Sequence, residues 1–316
     1  MKVLVTGGAG FIGSNLVEAY LRLGHEVTVI DNLSRGKREN IPAGADFVEM
    51  DIGDRALEGV FSRGRFDLVN HHAAQIDVRI SVDDPMFDAR NNILGLVNLL
   101  ENCRKHDVGR FIFASSGGVV YGDTDRLPAV ETLPKRPLSP YGVSKYSGEL
   151  FLFYYRLLQG LKCITLRYSN VYGPRQDPHG EAGVVAIFSR NNLKGEPPTI
   201  FGDGEQQRDY VFVGDVVRAN LLFSEVDLPG DPGVPDDQAF NIGTGVPTTV
   251  NELAAHFNEI SGSRHKPRYS PPRKGELLRS YLDCRKVKDY IGWKPEVTIR
   301  QGLEITFNWF KERWPS

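Results

Sequence analysis

The stretch KVLVTGGAGFIG, residues 2–13, decides the fold of this chain. Its first five residues form a short apolar run that is typical of a strand buried on both faces. The glycines that follow lack β-carbons, so the backbone can turn sharply and approach a phosphate group at the N-terminus of a helix. We therefore predict a strand over residues 2–6, a glycine-rich turn, and a helix that opens at the end of this turn.

Apolar runs and helical patterns alternate along the first half of the chain. Apolar residues on one helix face extend from Ile12 to Leu23, and Gly24 stands where a helix C-cap is expected. The predicted strands span residues 2–6, 26–31, 46–51, 68–73, 110–115 and 163–168. This order is typical of a Rossmann-type α/β fold with a doubly wound parallel sheet.

The second half of the chain is less regular, because prolines interrupt it repeatedly beyond about Val171. We assign residues 1–170 to the Rossmann domain and residues 171–316 mainly to a smaller C-terminal α/β lobe that binds substrate. Some segments of this lobe are expected to return to the Rossmann sheet.

The second predicted strand ends at Asp31, 18 residues after Gly13. A carboxylate at this place can accept hydrogen bonds from both adenosine ribose hydroxyls and repels a 2′-phosphate. The pattern therefore predicts NAD as the cofactor. NADP is disfavoured but not excluded, since Arg35, Lys37 and Arg38 follow closely.

Composition restricts the other partners. The chain has 38 Lys and Arg against 40 Asp and Glu, and this balance offers no electrostatic reason to bind nucleic acid or an anionic membrane. The apolar run at the N-terminus is too short for a membrane span. Its three cysteines, Cys103, Cys163 and Cys284, lack metal-ligand spacing, which favours a reducing compartment, namely the cytoplasm.

Tyr141 and Lys145 stand four residues apart after Pro140, which places both side chains on one face of a predicted helix. A fixed positive charge beside a phenol favours its ionised form, so we expect Lys145 to lower the pKa of Tyr141. Tyr141 can then act as a general base and afterwards as a general acid. His71 and His72, by contrast, are adjacent on a strand and point to opposite faces, so we predict no metal site there.

The chain resembles the extended short-chain dehydrogenases/reductases, and specifically the UDP-galactose (UDP-glucose) 4-epimerase family. The resemblance rests on motifs that follow one another in order along nearly the whole chain. These motifs are residues 6–13, Asp31-Asn32, Asp51-Ile52, Ala73-Ala74, Asn92, Ser115-Ser116, Tyr121-Gly122, residues 141–145, residues 167–170, residues 208–210 and residues 273–276.

The resemblance implies NAD as a bound cofactor and a UDP-sugar as substrate. The residues expected to bind NAD are Gly7, Gly10, Phe11, Ile12, Gly13, Asp31, Asn32, Asp51, Ile52, Ala73, Ala74, Gln75, Asn92, Ser115, Tyr141, Lys145 and Tyr168. Those expected to bind the UDP-sugar are Asn170, Gly183, Val184, Val185, Thr199, Phe201, Arg208, Arg273, Glu276 and Ser280. Arg208 and Arg273 would clamp the diphosphate, since guanidinium groups offer paired donors to such a dianion.

One position departs from the family pattern. The family has Ser or Thr four residues before the Tyr of its Val-Tyr-Gly segment, and this chain has Gly117 there. Ser116 lies one residue earlier, and a shift of one residue on a strand reverses the side-chain direction. We retain Ser116 as a catalytic candidate that requires a differently bent loop.

The resemblance implies reversible inversion at C4 of a UDP-hexose through a 4-keto intermediate, with bound NAD as the temporary hydride acceptor.

Related dehydratases and decarboxylases start with the same oxidation, but Gly118 and Val119 replace the ionisable residues that they carry. A non-catalytic dinucleotide-binding regulator is a further alternative, disfavoured by the Tyr/Lys pair. A homodimer is expected from the resemblance alone. In the family, the position of Ser280 borders the C2 substituent of the sugar, and a small residue there tends to admit an acetamido group. The resemblance therefore implies that N-acetylated UDP-hexoses are also accepted.

Overall fold

The computed structural model describes residues 1–179, 183–227, 233–273 and 277–313. The chain divides into two compact units. The first comprises Met1–Gly122, Glu131–Tyr168 and Val217–Phe240, and the second comprises Asp123–Val130, Ser169–Val216 and Asn241–Ser316. Within the described ranges, no helix combines the length and the apolar character that crossing a membrane requires.

A seven-stranded sheet organises the first unit. Its strands are β1 (Lys2–Thr6), β2 (Glu26–Asp31), β3 (Asp46–Glu49), β4 (Leu68–His71), β5 (Arg110–Ser116), β6 (Cys163–Tyr168) and, in the later part of the chain, β10 (Ala239–Ile242). Their order is β10-β6-β5-β4-β1-β2-β3, and all neighbouring pairs from β6 to β3 are parallel. The order reverses between β4 and β1, which is where doubly wound sheets open a crevice for ligands. The predicted fold class is confirmed.

Helices connect these strands. They are α1 (Phe11–Arg22), α2 (Leu57–Gly64), α3 (Val78–Asp83), α4 (Pro85–Ala89), a π-helical turn (Arg90–Leu94), α5 (Gly95–Lys105), α6 (Gly117–Val120) and α7 (Pro140–Gln159), with a 3₁₀ turn at Arg38–Asn40. Apolar side chains from β4, β5, α2, α5 and α7 fill the core between them. The apolar strands predicted from the sequence are therefore buried by helices, as parallel sheets require.

The second unit contains shorter elements. Its strands are β7 (Asn170–Tyr172), β8 (Thr199–Phe201), β9 (Gln207–Phe212), β11 (Pro247–Thr249), β12 (Arg268–Ser270) and β13 (Arg279–Ser280). Strand β9 pairs with β7, β11 and β13, and β8 pairs with β12. Its helices are α8 (Val184–Leu193), α10 (Val250–Ser261), α11 (Arg285–Ile291) and α12 (Ile299–Arg313), while α9 (Val213–Glu225) belongs to both units. Aromatic pairs such as Phe188 with Phe257 join α8 to α10.

Candidate active site

The turn between β1 and α1 forms a cradle that only glycine permits. Gly7 has a φ of +70°, and a β-carbon there would lie 2.6 Å from the backbone nitrogen of Ala73. A β-carbon on Gly13 would lie 2.2 Å from the carbonyl oxygen of Gly7. Gly10, which has no side chain, is the N-cap of α1. The backbone N–H groups at Phe11 and Ile12 are therefore available to an anionic ligand such as a pyrophosphate.

Asp31 closes the other side of this turn. Its carboxylate is only 8% exposed and accepts hydrogen bonds from the backbone N–H of Ala9, at 3.0 Å, and of Leu33, at 2.9 Å. Burial raises the pKa of Asp31, although these two bonds oppose the rise. Each carboxylate oxygen retains a further lone pair, so the group can also accept from ribose hydroxyls.

The neighbours of Asp31 support the predicted adenosine site. Asn32 donates a hydrogen bond of 2.8 Å to the Asp51 carboxylate, and Ile52 is buried beside it. The guanidinium of Arg35 lies 3.4 Å from the carboxylate of Asp77. A 2′-phosphate would have to compete with that carboxylate for Arg35, which agrees with the predicted preference for NAD.

Asn92 fixes the loop that follows β4. It lies in the π-helical turn, accepts a hydrogen bond of 2.8 Å from the backbone N–H of Gln75 and donates one of 2.9 Å to the carbonyl oxygen of the same residue. The buried carboxylate of Asp88 accepts from both side-chain amides. Asn92 therefore positions the backbone of Gln75 in the segment Ala73–Gln75, which is expected from the resemblance to bind NAD.

The predicted catalytic pair, Tyr141 and Lys145, lies in the first two turns of α7. Ser139 caps this helix by accepting a hydrogen bond of 3.1 Å from Gly142 N–H. The Lys145 ammonium donates to the carbonyl oxygen of Ala114 at 2.9 Å and lies 5.8 Å from the centre of the Tyr141 ring. Lys145 thus points from α7 toward the end of β5, with Tyr141 beside it on the same helix face, as the spacing predicts.

The electrostatics differ from the expectation. Burial raises the pKa of Tyr141 well above its ordinary value, and the Asp88 carboxylate adds to the rise. Burial also lowers the pKa of Lys145 to about 8. The expectation of a lowered pKa for Tyr141 is therefore wrong, because the loss of water around the phenol disfavours its ionised form.

The two serines at the end of β5 have different surroundings. Ser115 is buried and donates a hydrogen bond of 2.6 Å to Glu149 on α7. Ser116 is half-buried and precedes α6, whose first residue is Gly117. A helical turn thus begins where the family has its Ser or Thr, and the chain bends directly after Ser116.

A buried ion pair that the sequence analysis did not identify holds α7 against the sheet. Arg167, at 1% exposure, donates to both carboxylate oxygens of Glu149 and to Asp236. Glu149 follows Lys145 by four residues, as Lys145 follows Tyr141. This repeated spacing of four residues on one helix face is the sequence signal that could have indicated a buried role for Glu149.

Tyr168, at the end of β6, contacts His72 rather than solvent. Its hydroxyl lies 3.1 Å from Nε2 of His72, and the two rings stack with centroids 5.8 Å apart. His71, on the other side of the strand, approaches Thr6 at 2.7 Å. In the described ranges, no three His, Cys, Asp or Glu side chains are grouped so that they could hold a metal ion.

In the second unit, short strands bring several predicted substrate residues together. Arg208 on β9 lies directly opposite Ser280 on β13 and opposite Thr248 on β11. Asn170 is exposed at the start of β7, opposite Tyr210. The structure therefore places Arg208 beside Ser280, which the separation of 72 residues along the chain does not reveal.

The remaining substrate candidates lie at element ends. The Arg273 guanidinium stacks 4.2 Å from the centre of the Phe201 ring, and Thr199 begins the same strand, β8. Gly183 is the N-cap of α8 and the side chain of Val185 is buried, so these two residues can offer a ligand only their main chain, whereas Val184 is half-buried. Glu276 lies outside the described residues.

Comparisons with known proteins place the chain in a family. The NAD dependent epimerase/dehydratase family matches residues 3–243. The chain belongs to this family. The UDP-glucose 4-epimerase of Mycolicibacterium smegmatis is 45% identical over 318 residues, with 99% of each chain covered.

Solved structures agree with this assignment. The UDP-glucose 4-epimerase of Thermotoga maritima, solved with UDP-glucose, is 50% identical, with 99% of each chain covered and a TM-score of 0.94. The enzyme of Thermus thermophilus, solved with NAD, is 46% identical over the full length of both chains, with a TM-score of 0.92. The glycine cradle and the Asp31 carboxylate fit NAD, the cofactor of this family. The resemblance and cofactor predicted from the sequence are confirmed.

Proposed function

We propose that this member of the NAD-dependent epimerase/dehydratase family interconverts UDP-glucose and UDP-galactose by inverting C4 of the hexose. The Tyr141–Lys145 pair carries this proposal, because it couples a phenol to a buried ammonium that the carbonyl oxygen of Ala114 holds in place. Two UDP-glucose 4-epimerases, those of Mycolicibacterium smegmatis and Thermotoga maritima, are 45% and 50% identical to this chain over almost its whole length.

Bound NAD supplies a reversible hydride acceptor for C4. Tyr141 accepts the proton of the 4-hydroxyl as C4 is oxidised and returns it after the 4-keto sugar has turned over, so the reaction has no net redox change. Burial raises the pKa of Tyr141, and positive charge near the phenol in addition to Lys145 would favour its ionised form. An oxidised nicotinamide ring carries such a charge.

The UDP moiety would be held by residues of the second unit. Arg208 and Arg273 offer charge-assisted donors to the diphosphate, and the Phe201–Arg273 stack provides a flat surface for the uracil. Asn170 would bind the sugar. Firm anchoring of UDP lets the keto sugar rotate without leaving the enzyme.

A dehydratase or decarboxylase is less well supported. Such reactions need an acid or base next to the sugar besides the Tyr/Lys pair. In this chain the corresponding positions are Gly118 and Val119, both within α6, and neither side chain ionises.

A direct test is to incubate the purified protein with UDP-galactose without added NAD and to follow UDP-glucose by chromatography. We expect conversion to the equilibrium mixture, with no loss of water or carbon dioxide detectable by mass spectrometry. A product lighter by water or by carbon dioxide would indicate one of the related activities instead.

We also propose that the protein forms a homodimer through α7. This helix has a row of exposed apolar side chains, namely Val143, Leu150, Tyr154, Leu157 and Leu158, and Phe87 and Leu94 on adjoining helical segments are exposed as well. An apolar surface of this kind is typical of a helix that packs against a second copy. Light scattering should give a dimer mass for the wild type and a monomer mass for Leu157→Glu.

The further expectations follow from the same proposal. Interconversion of UDP-glucose and UDP-galactose would place the enzyme in galactose metabolism. Cys103 and Cys163 are buried free thiols, and we propose a reducing compartment such as the cytoplasm. Ser280 beside Arg208 leaves room for an acetamido group at C2 of the hexose, so we propose N-acetylated UDP-hexoses as additional substrates.

A further inference from the structure

A single buried carboxylate connects the catalytic helix α7 to the loop that follows β4. Asp88 lies on the short helix α4 and is completely buried. Its Oδ1 atom accepts hydrogen bonds of 3.0 Å from the side-chain amides of Gln75 and Asn92, and its Oδ2 atom accepts one of 2.5 Å from the Ser144 hydroxyl. We call these four residues the Asp88 hub.

Main-chain groups fix the direction of both amides in the hub. The Nδ2 group of Asn92 donates to the carbonyl oxygen of Gln75, and its Oδ1 atom accepts from the N–H of the same residue. The Nε2 group of Gln75 donates to the carbonyl oxygen of Asp77, and its Oε1 atom accepts from the N–H of Asp77. Because carbonyl oxygens only accept and N–H groups only donate, neither amide can be reversed. Each amide therefore directs the second proton of its NH₂ group to Asp88.

The charge of this carboxylate is not paired within the hub. Its side-chain donors are two amides and one hydroxyl, and all three are neutral. Glu149, the buried carboxylate on α7, differs because the guanidinium of Arg167 donates to both of its oxygens. Hydrogen bonds from neutral donors favour the ionised form of a carboxylate without cancelling its charge. Asp88 therefore adds a negative charge to the interior of the first unit.

Ser144 places this charge beside the predicted catalytic pair. It directly precedes Lys145 on α7 and lies three residues after Tyr141. Burial lowers the pKa of Lys145 to about 8, and the negative charge of Asp88 opposes this decrease. Burial raises the pKa of Tyr141, and the same negative charge adds to that rise. Both members of the pair are thus close enough to Asp88 to respond to its charge.

The other ionisable groups around Lys145 are paired or neutral. Glu149 also raises the pKa of Lys145, but Arg167 forms an ion pair with it. Burial and the charge of Lys145 lower the pKa values of His71 and His72, so both rings are neutral at pH 7. The hub carboxylate can therefore be neutralised by substitution without leaving a buried cation unpaired, which is not true of Glu149.

We propose that Asp88 is a positioning residue for the catalytic pair: through Ser144 it holds α7 against the loop expected to bind NAD, and its negative charge keeps the Lys145 ammonium charged. A charged Lys145 favours the ionised phenol of Tyr141 during proton transfer. The link to turnover rests on the proposed epimerase function, whereas the effect on the charge of Lys145 can be measured without substrate.

Asp88→Asn separates the charge from the hydrogen bonds. The Asn side chain has nearly the same shape, its oxygen can accept from both amides, and its NH₂ group can donate to the Ser144 hydroxyl. In nucleotide-free protein labelled with ¹³C at lysine Cε, NMR should show Lys145 titrating near pH 8 in the wild type. In Asp88→Asn it should titrate about one pH unit lower, because an attractive charge is lost. Asp84→Asn, the same change at the exposed N-cap of α4, is the matched control and should leave this titration unchanged.

The pH dependence of kcat should move in the same direction. Removal of the negative charge disfavours the Lys145 ammonium and favours the Tyr141 phenolate, so both groups titrate at lower pH and the activity profile of Asp88→Asn shifts to lower pH. A residue with only a structural role would reduce the rate at every pH without moving the profile. Ser144→Ala keeps the charge but removes the contact with α7, so it should lower kcat about five-fold, the effect of one hydrogen bond, and leave the profile in place.

Each part of the proposal has its own contrary result. An unchanged Lys145 titration in a folded Asp88→Asn, or an equal change in Asp84→Asn, would overturn the effect of the charge. Wild-type kcat in Ser144→Ala would overturn the positioning through α7, and this variant decides that question even if Asp88→Asn does not fold. A wild-type protein that binds NAD but does not epimerise UDP-galactose would contradict the proposed function, while the titration of Lys145 would still test Asp88.

Discussion

The two units hold their functional residues in different ways. In the first unit, Lys145 and Asp31 are buried, and each is held by hydrogen bonds to the main chain. In the second unit, Asn170 and Arg273 are exposed, and Ser280 lies on a strand of only two residues.

This difference separates chemistry from recognition. Groups that transfer a proton need fixed geometry and a controlled environment, which burial and main-chain hydrogen bonds provide. Exposed groups on short strands can be replaced at small cost to the fold and can adapt to different sugars. Substitutions of Tyr141 or Lys145 should therefore change kcat, and those of Arg208 or Ser280 should change KM or selectivity.

The largest expected effect is that of Tyr141→Phe. Loss of the general base should reduce kcat at least ~10²-fold, while NAD affinity and the thermal unfolding temperature stay near the wild-type values. Steady-state epimerisation of UDP-galactose, together with calorimetry for NAD, measures both. Turnover near the wild-type rate would show that Tyr141 is not the general base. It would also contradict the contrast between the two units.

Next in size is the effect of Arg208→Gln. Loss of a charge-assisted contact to the diphosphate should raise KM for UDP-galactose roughly 10- to 100-fold, with a smaller change in kcat. Arg218→Gln, on α9, removes an arginine to which no role in binding is assigned and serves as the control. A fall in kcat with unchanged KM for Arg208→Gln would show that the second unit also contributes to the chemical step.

A more moderate effect is expected from Ser280→Tyr, which fills the space beside Arg208. The ratio of kcat/KM for UDP-N-acetylglucosamine to that for UDP-glucose should fall at least about ten-fold, since a bulky ring excludes the acetamido group by volume. Ser280→Ala preserves the space and should keep the ratio. If the wild type does not turn over the acetylated sugar, Ser280 does not line the sugar pocket.

The smallest effect is expected from Ser116→Ala. Ser116 is out of register with the hydroxyl position of the family, which Gly117 occupies, so kcat should fall by less than the loss in Tyr141→Phe. Parallel rate measurements on the two variants decide this. Equal losses would mean that the turn at α6 brings the Ser116 hydroxyl to the sugar.

The sequence predicted the parallel core accurately. Strands β1, β2 and β6 have the predicted limits, and β5 is one residue longer, because continuous apolar runs between helical patterns leave few alternatives. The predicted strands at residues 46–51 and 68–73 each end two residues early. Their last residues belong instead to the loops expected to contact NAD.

The electrostatics of the site were harder to predict. A spacing of four residues places Lys145 beside Tyr141, but it carries no information on burial, which controls the pKa of the phenol. The sequence also contained no indication that His72 contacts Tyr168 or that Asn220 donates to Tyr168, because these residues lie far apart along the chain. Pairwise contacts of this kind become visible only in the folded chain.

In the proposed reaction, hydride leaves C4 and returns to C4 within one enzyme molecule. The most direct test uses UDP-galactose deuterated at C4, in ordinary water and without added NAD, with the UDP-glucose product analysed by NMR and mass spectrometry. We expect the product to retain its deuterium at C4, because hydride accepted by bound NAD would return to C4 without exchanging with water. Replacement of the deuterium by solvent hydrogen, or inversion with cleavage of another bond, would contradict it.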